Sequence, residues 1–140
     1  MIRQEHQSLA VSTPGRGLVM ITSELAAWLG TIGAVDGLLT LFIQHTSASL
    51  VVQENADPDV RADLERFFAK LVKDGDPMFA HDAEGPDDMP SHVRAALTLT
   101  QASLPVRWGK LQLGTWQGVY VYEHRHAAHR RSLALHYLGT

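Results

Sequence analysis

Residues 37–44 read Gly-Leu-Leu-Thr-Leu-Phe-Ile-Gln, a run that is apolar on both faces and too short for an ordinary helix. Such a run predicts a central strand buried on both sides, so the chain must build a sheet and cover it. Further strands are expected at 2–11 and 17–22, joined as a hairpin through Thr13–Gly17, and at 104–108, 111–113 and 132–138. Residues 116–123 alternate, with Val119, Val121 and Glu123 on one side and Tyr120, Tyr122 and then His124 on the other. The plainest helix is Pro58 to Lys73. Asp57 is its N-cap and Pro58 its first residue, and Val60, Leu64, Phe67, Phe68, Leu71 and Val72 form one apolar stripe. A short helix from Thr22 or Ser23 to about residue 32 turns Leu25, Ala26, Trp28 and Leu29 inward. Another, from Pro90 or Ser91 to Thr100, has Val93, Ala96, Leu97 and Thr100 as its core face. Strands, helix, strands, helices, strands is an α+β order with a mainly antiparallel sheet, and 140 residues make one domain, 1–140.

Composition excludes several classes. The absence of cysteine removes disulfides and thiolate metal sites and suits a cytoplasmic protein. Twelve basic against fifteen acidic side chains give a net charge of −3, which argues against nucleic acid as a partner. The polar start Arg3-Gln4-Glu5-His6 does not read as a signal peptide, and no apolar run approaches the ~18 residues of a membrane span.

The chemistry concentrates in residues 81–92, His-Asp-Ala-Glu-Gly-Pro-Asp-Asp-Met-Pro-Ser-His, a loop that leads into a helix. Of the eight histidines, His45, His81, His92 and His124 keep polar company, whereas His6, His136, His126 and His129 read as ordinary strand or loop residues. His45, His81 and His92 form a candidate three-imidazole centre for zinc, nickel, cobalt or iron, with an open position for an acidic water. Asp82, Asp87, Asp88 or Glu54 would orient the rings or act as base. Spacings of 36 and 11 residues match no compact metal motif, so the fold must bring the three together. The hydroxyls after His45 (Thr46, Ser47, Ser49) offer donors to a phosphate or carboxylate, although such runs also serve turns. Trp116 in Gly114-Thr115-Trp116-Gln117-Gly118 reads as a stacking platform or a core plug. Arg125 is suited to clamp a phosphate, or to form a structural ion pair with Glu123 on the same strand face.

Taken together, these segments resemble one family. The matching pieces are Gln44-His45-Thr46-Ser47-Ala48-Ser49-Leu50, Glu54-Asn55, Asp57-Pro58, His81-Asp82, Glu84-Gly85 and Asp87-Asp88-Met89-Pro90-Ser91-His92. Leu104, Val106, Gly109, Gly114-Thr115-Trp116-Gln117 and Glu123-His124-Arg125 complete them. In order and spacing they resemble the YjbQ family, also called the secondary thiamine-phosphate synthase family, from residue 37 onward. Gln101 departs from the usual Ser. The resemblance implies a two-layer sandwich with two to three helices and a homotrimer. It also implies a weak thiamine-phosphate synthase activity, which joins hydroxymethylpyrimidine diphosphate to thiazole phosphate and releases pyrophosphate.

The residues expected to carry that chemistry are His45, His81 and His92 as metal ligands and Asp88, Glu54 and His92 as catalytic groups. Ser47, Ser49, Gln117 and Arg125 are expected to hold a small phosphorylated substrate. Zinc or a similar divalent ion would sit on the imidazoles, with magnesium for the diphosphate. No glycine-rich phosphate cradle opens a helix, and the cations Arg94, Lys110 and Arg125 are few. A metal-dependent hydrolase, or a non-catalytic trimer that binds metabolite or metal, is the alternative.

Overall fold

The computed structural model describes residues 1–140. Eight strands and three helices follow in the order β1 (Arg3–Thr13), β2 (Gly17–Met20), α1 (Thr22–Thr31), β3 (Gly37–Ile43), β4 (Ala48–Glu54), α2 (Pro58–Leu71), α3 (Asp88–Leu97), β5 (Gln101–Arg107), β6 (Lys110–Leu111), β7 (Gln117–Glu123) and β8 (His129–Gly139). All strand pairs are antiparallel, in a five-stranded sheet of order β1-β8-β3-β5-β6 and a three-stranded sheet of order β2-β7-β4. The architecture is α+β, as the element order predicts. No helix is long and apolar enough to cross a membrane.

The two sheets face each other across one core. Leu39, Leu41 and Ile43 of β3, Leu133 and Leu135 of β8, Leu104 of β5, and Val119 and Val121 of β7 meet there, with Leu25 and Leu29 of α1. β3 is central, as expected, but it is buried on one face only: Leu38 and Phe42 point outward and are exposed. β7 is the strand buried on both faces, because α2 and α3 cover the outer side of the small sheet, where Tyr120, Tyr122 and His124 lie.

The expected hairpin at the N-terminus does not form. β1 pairs along its full length with β8, and β2 pairs with β7, so the Thr13–Gly17 turn carries the chain from one sheet to the other. Gly15 makes that crossing possible. Its φ is +139°, and a Cβ there would lie 2.6 Å from the His126 carbonyl oxygen.

Helix α3 turns toward the sheet with a face other than the one expected, and α2 does so in part, keeping Phe68 and Val72 of its expected stripe inward. No residue of α2 is fully buried, and Phe67 and Leu71 are more than half exposed. The inward row is Arg61, Glu65 and Phe68, because the sheet beneath presents the phenol tips of Tyr120 and Tyr122. Arg61 Nη1 donates to the Tyr120 hydroxyl at 3.3 Å, and the Tyr122 hydroxyl donates to Glu65 Oε1 at 2.8 Å. Helix α3 starts two residues earlier than the sequence suggests and buries Asp88, Pro90, Ser91 and Arg94, leaving Ala96, Leu97 and Thr100 exposed. A half-buried ion pair explains that rotation: the fully buried Arg94 reaches Glu65 through Nη1 and Nη2 at 2.7 and 3.0 Å and locks α3 to α2. Proline is tolerated at the third position of α3 because the first-turn N–H groups have no intrahelical partner.

Candidate functional site

Asp88 opens α3 and His92 lies four residues later, so one turn of helix stacks carboxylate and imidazole on the same face. His81, from the preceding loop, closes on the same point. His81 Nε2 and His92 Nε2 lie 3.2 and 3.3 Å from Asp88 Oδ1, and the two rings are 5.3 Å apart between centroids. Asp88 is almost wholly buried, yet its Oδ1 has no hydrogen-bond partner, while Oδ2 accepts from Glu84 N at 3.2 Å. An orphaned buried carboxylate oxygen is costly unless a cation or proton shares the site.

The donor set fits a metal ion. Bonds of about 2.0–2.2 Å to a tetrahedral zinc put neighbouring ligand atoms about 3.3–3.5 Å apart, close to both distances at Asp88. His92 Nδ1 is 2.8 Å from the Thr46 carbonyl oxygen, which can only accept. Nδ1 therefore carries a proton, which leaves Nε2, beside Asp88, as the nitrogen that would face a metal. Imidazole with carboxylate suits zinc, iron, nickel or manganese better than magnesium.

The loop is fastened from behind by Arg125, which follows β7. Its guanidinium donates to Asp87 Oδ2 through Nε at 3.2 Å, to Glu84 Oε2 through Nη1 at 3.0 Å and to the Glu84 carbonyl through Nη2 at 2.7 Å. Nη1 also stands 3.6 Å from Asp88 Oδ1. Burial opposes ionisation of Asp87, but the His126 N–H at 2.8 Å and the Arg125 guanidinium outweigh it and hold the carboxyl below its ordinary value. Arg125 therefore acts on the loop rather than as a free phosphate clamp. The expected Glu123–Arg125 pair is also replaced, since Glu123 is bonded to Arg131 Nε at 2.7 Å and to Thr13.

The other expected site residues are dispersed. His45 is not in the cluster with His81, Asp88 and His92. Its Nε2 accepts from Ser132 N at 2.8 Å and its Nδ1 faces the Arg131 guanidinium at 3.5 Å, so neither ring nitrogen is turned to the cluster. Burial, and after it the Arg131 guanidinium, push the His45 imidazole below its ordinary value. Ser49 is buried between Thr98 and His124, with its Oγ 2.7 Å from His124 Nε2, and Ser47 Oγ accepts from Arg131 Nη2 at 3.0 Å. Glu54 accepts from Ala56 N and Asp57 N at 2.7 and 2.8 Å, tying the turn before α2. Gln117 Oε1 accepts from Gly114 N at 2.8 Å. Glu54 and Gln117 line a separate shallow cleft beside Trp116. The sequence signal for the true cluster is the Asp-x-x-x-His spacing of 88 and 92, visible only once the helix is started at Asp88.

Comparison with known proteins agrees with this architecture. The family model described as UPF0047 protein YjbQ-like matches residues 7–140. The UPF0047 protein sll1880 of Synechocystis is 47% identical over 137 residues, covering 98% of this chain and 93% of the relative. The UPF0047 protein YjbQ of Escherichia coli O157:H7 is 46% identical over 130 residues, 91% of this chain and 94% of that one. The crystal structure of a hypothetical protein from Aeropyrum pernix K1 superposes with a TM-score of 0.87 at 32% identity, covering 97% and 99% of the two chains. With a family match over nearly its whole length and relatives this similar, the chain belongs to the UPF0047 protein YjbQ-like family.

Proposed function

We propose that this protein is a metal-dependent enzyme of small phosphorylated substrates, with thiamine-phosphate synthase as a secondary activity. The observation that carries the reading is Asp88 Oδ1, buried without a hydrogen-bond partner and facing His81 Nε2 and His92 Nε2. Those three residues would hold a zinc-like ion, which would supply positive charge to phosphate oxygens and acidity to bound water. In the synthase reaction the thiazole nitrogen bonds to the pyrimidine's methylene carbon as that carbon's bond to the diphosphate oxygen breaks, and pyrophosphate leaves. Here the chain's own part is to hold the head of the substrate. His92 is kept in one tautomer by Thr46, and Arg125 keeps the 84–88 loop against the centre. Phe67 and Leu71, exposed on α2, are consistent with burial in an assembly, for which the family resemblance suggests a homotrimer.

One observation favours a hydrolase as the second reading. The arginines around the centre are already engaged: Arg125 with Glu84 and Asp87, Arg94 with Glu65, Arg131 with Glu123, and Arg16 with Asp74. A departing diphosphate needs cations that these pairs do not leave free, whereas activation of water needs only the centre.

The test is elemental analysis of tag-free protein. Wild type and His45→Ala are expected to carry near-stoichiometric transition metal, and His81→Ala, His92→Ala and Asp88→Ala to lose it. Equal metal content in all five proteins would remove the centre. Pyrophosphate release from the two thiamine precursors, set beside phosphate release from simple phosphate esters, then separates synthase from hydrolase. Tight binding of either substrate class without turnover would instead make the protein a binding module.

A further inference from the structure

His92 has a second neighbour besides the metal-type cluster. Between the end of β3 and α3 lies a cleft of 480 Å³ walled by Phe42, Ile43, His45 and Thr46 from the strand end and by His92 and Ala96 from the helix. That size falls in the ordinary range for small-molecule sites, about 300–1,000 Å³. No Lys, Arg, Asp or Glu lines it. The nearest guanidinium partner of its walls, Arg131, is committed to Glu123. A charged group placed there would find no counter-charge in the walls. The lining is not purely apolar either, since Thr46, Thr100 and Gln44 offer hydroxyls and a carboxamide. His45 enters as a wall rather than as a ligand, its Nε2 being taken by Ser132 N.

We propose that this cleft seats the uncharged, heteroatom-bearing body of the substrate while its anionic head reaches the His81–Asp88–His92 cluster past the shared His92 ring. This rests on the reading of that cluster as a metal centre. Thr46 serves both halves: its carbonyl oxygen fixes the His92 ring, and its residue lines the cleft. Ala95 and Ala96 then act as specificity-determining positions, because a larger side chain on that face of α3 fills the space the body would take.

The experiment uses the full, tag-free chain loaded with zinc and two probes, phenyl phosphate and inorganic phosphate, by titration calorimetry. The head is common to both, and only the first has a body. Phenyl phosphate is expected to bind about tenfold tighter, as burial of part of an aryl ring allows. Ala96→Phe, at an exposed helix position, is expected to erase that tenfold preference while zinc stoichiometry stays at the wild-type value. Zinc bound, but equal affinity for the two probes or an undiminished preference in Ala96→Phe, overturns the cleft and spares the centre. No bound zinc in the wild-type protein overturns the centre and this proposal with it.

Discussion

His124 is the group whose titration should be most visible in the stability of this protein. Its side chain is fully buried between the small sheet and the helices. Nε2 meets the Ser49 hydroxyl at 2.7 Å, the ring lies against Tyr122 at 4.4 Å between centroids, and Nδ1 has no partner. Burial first, and then the positive charge of Arg94, push its pKa from 6.5 to about 3. In the unfolded chain the imidazole takes up a proton below its ordinary value of 6.5, while in the fold it stays neutral. Stability from His124 is therefore complete above pH 6.5 and is lost as pH falls toward 3. One proton is worth about 1.4 kcal/mol per pH unit, so about 3 kcal/mol is gone by pH 4, a large share of the ~5–15 kcal/mol of a typical domain.

The assay is urea unfolding of metal-free protein at pH 7, 6, 5 and 4, in wild type and in His124→Gln. Glutamine keeps an acceptor for Ser49 and does not titrate. The variant is expected to be less stable at pH 7, because it repacks a filled site, but its stability should fall more gently between pH 6 and pH 4.5. The carboxylates act lower down. Burial opposes ionisation of Glu65 and Glu123, but Arg94 and Arg131 outweigh it and hold them below their ordinary 4.5, so their stabilisation is lost only below that value. Parallel wild-type and variant slopes above pH 4.5 would show that His124 is not the buried neutral ring described here.

Three further perturbations test how the site is supported. Arg125→Lys keeps the charge but cannot reproduce the fork to Glu84 and Asp87, so metal affinity should drop roughly 10–100-fold in chelator competition, with little change in the far-ultraviolet circular dichroism. Arg94→Met leaves the half-buried Glu65 with Tyr122 alone and should cost about 1–3 kcal/mol in urea unfolding, whereas Arg94→Met combined with Glu65→Leu should recover much of the loss. Asp57→Ala removes the carboxylate that accepts from Asp59 N at 2.9 Å and should cost about 1 kcal/mol.

Much of the fold was legible because local rules and tertiary burial agree there. Asp57-Pro58 started α2 at the right residue, since N-cap chemistry depends only on neighbours in sequence. The run 37–44 marked the strand that lies centrally, although the two-sided burial expected of it belongs instead to β7, whose alternation did not announce it. What local pattern could not reveal was strand partnership. Nothing between Thr13 and Gly17 distinguishes a hairpin from a crossing between sheets. The choice was made by β8, whose eleven residues pair with all of β1.

The site was legible in its residues and misread in its grouping, and one error accounts for most of that. Helix α3 carries both an apolar row (Val93, Ala96, Leu97) and a polar row (Asp88, Ser91, Arg94). The usual rule sends the first inward, and the fold sends the second. The reason lies on another helix. Glu65 faces the sheet from α2 half-buried, and it is the partner that lets the fully buried Arg94 lie under cover, so α3 rolls its charged row toward the sheet. That roll carries Asp88 under cover and leaves His92 at the rim, four residues up the same face. With Asp88 read as loop, His45 looked like the third ligand. With Asp88 in the helix, its carboxylate stands with the two imidazoles, and the His45 lone pair goes to Ser132. If the ion pair sets the roll, loss of Arg94 should weaken metal binding as well as stability, and the Arg94→Met, Glu65→Leu protein should regain stability without regaining the metal. Recovery of both together would mean that Asp88 and His92 hold their places without help from α2.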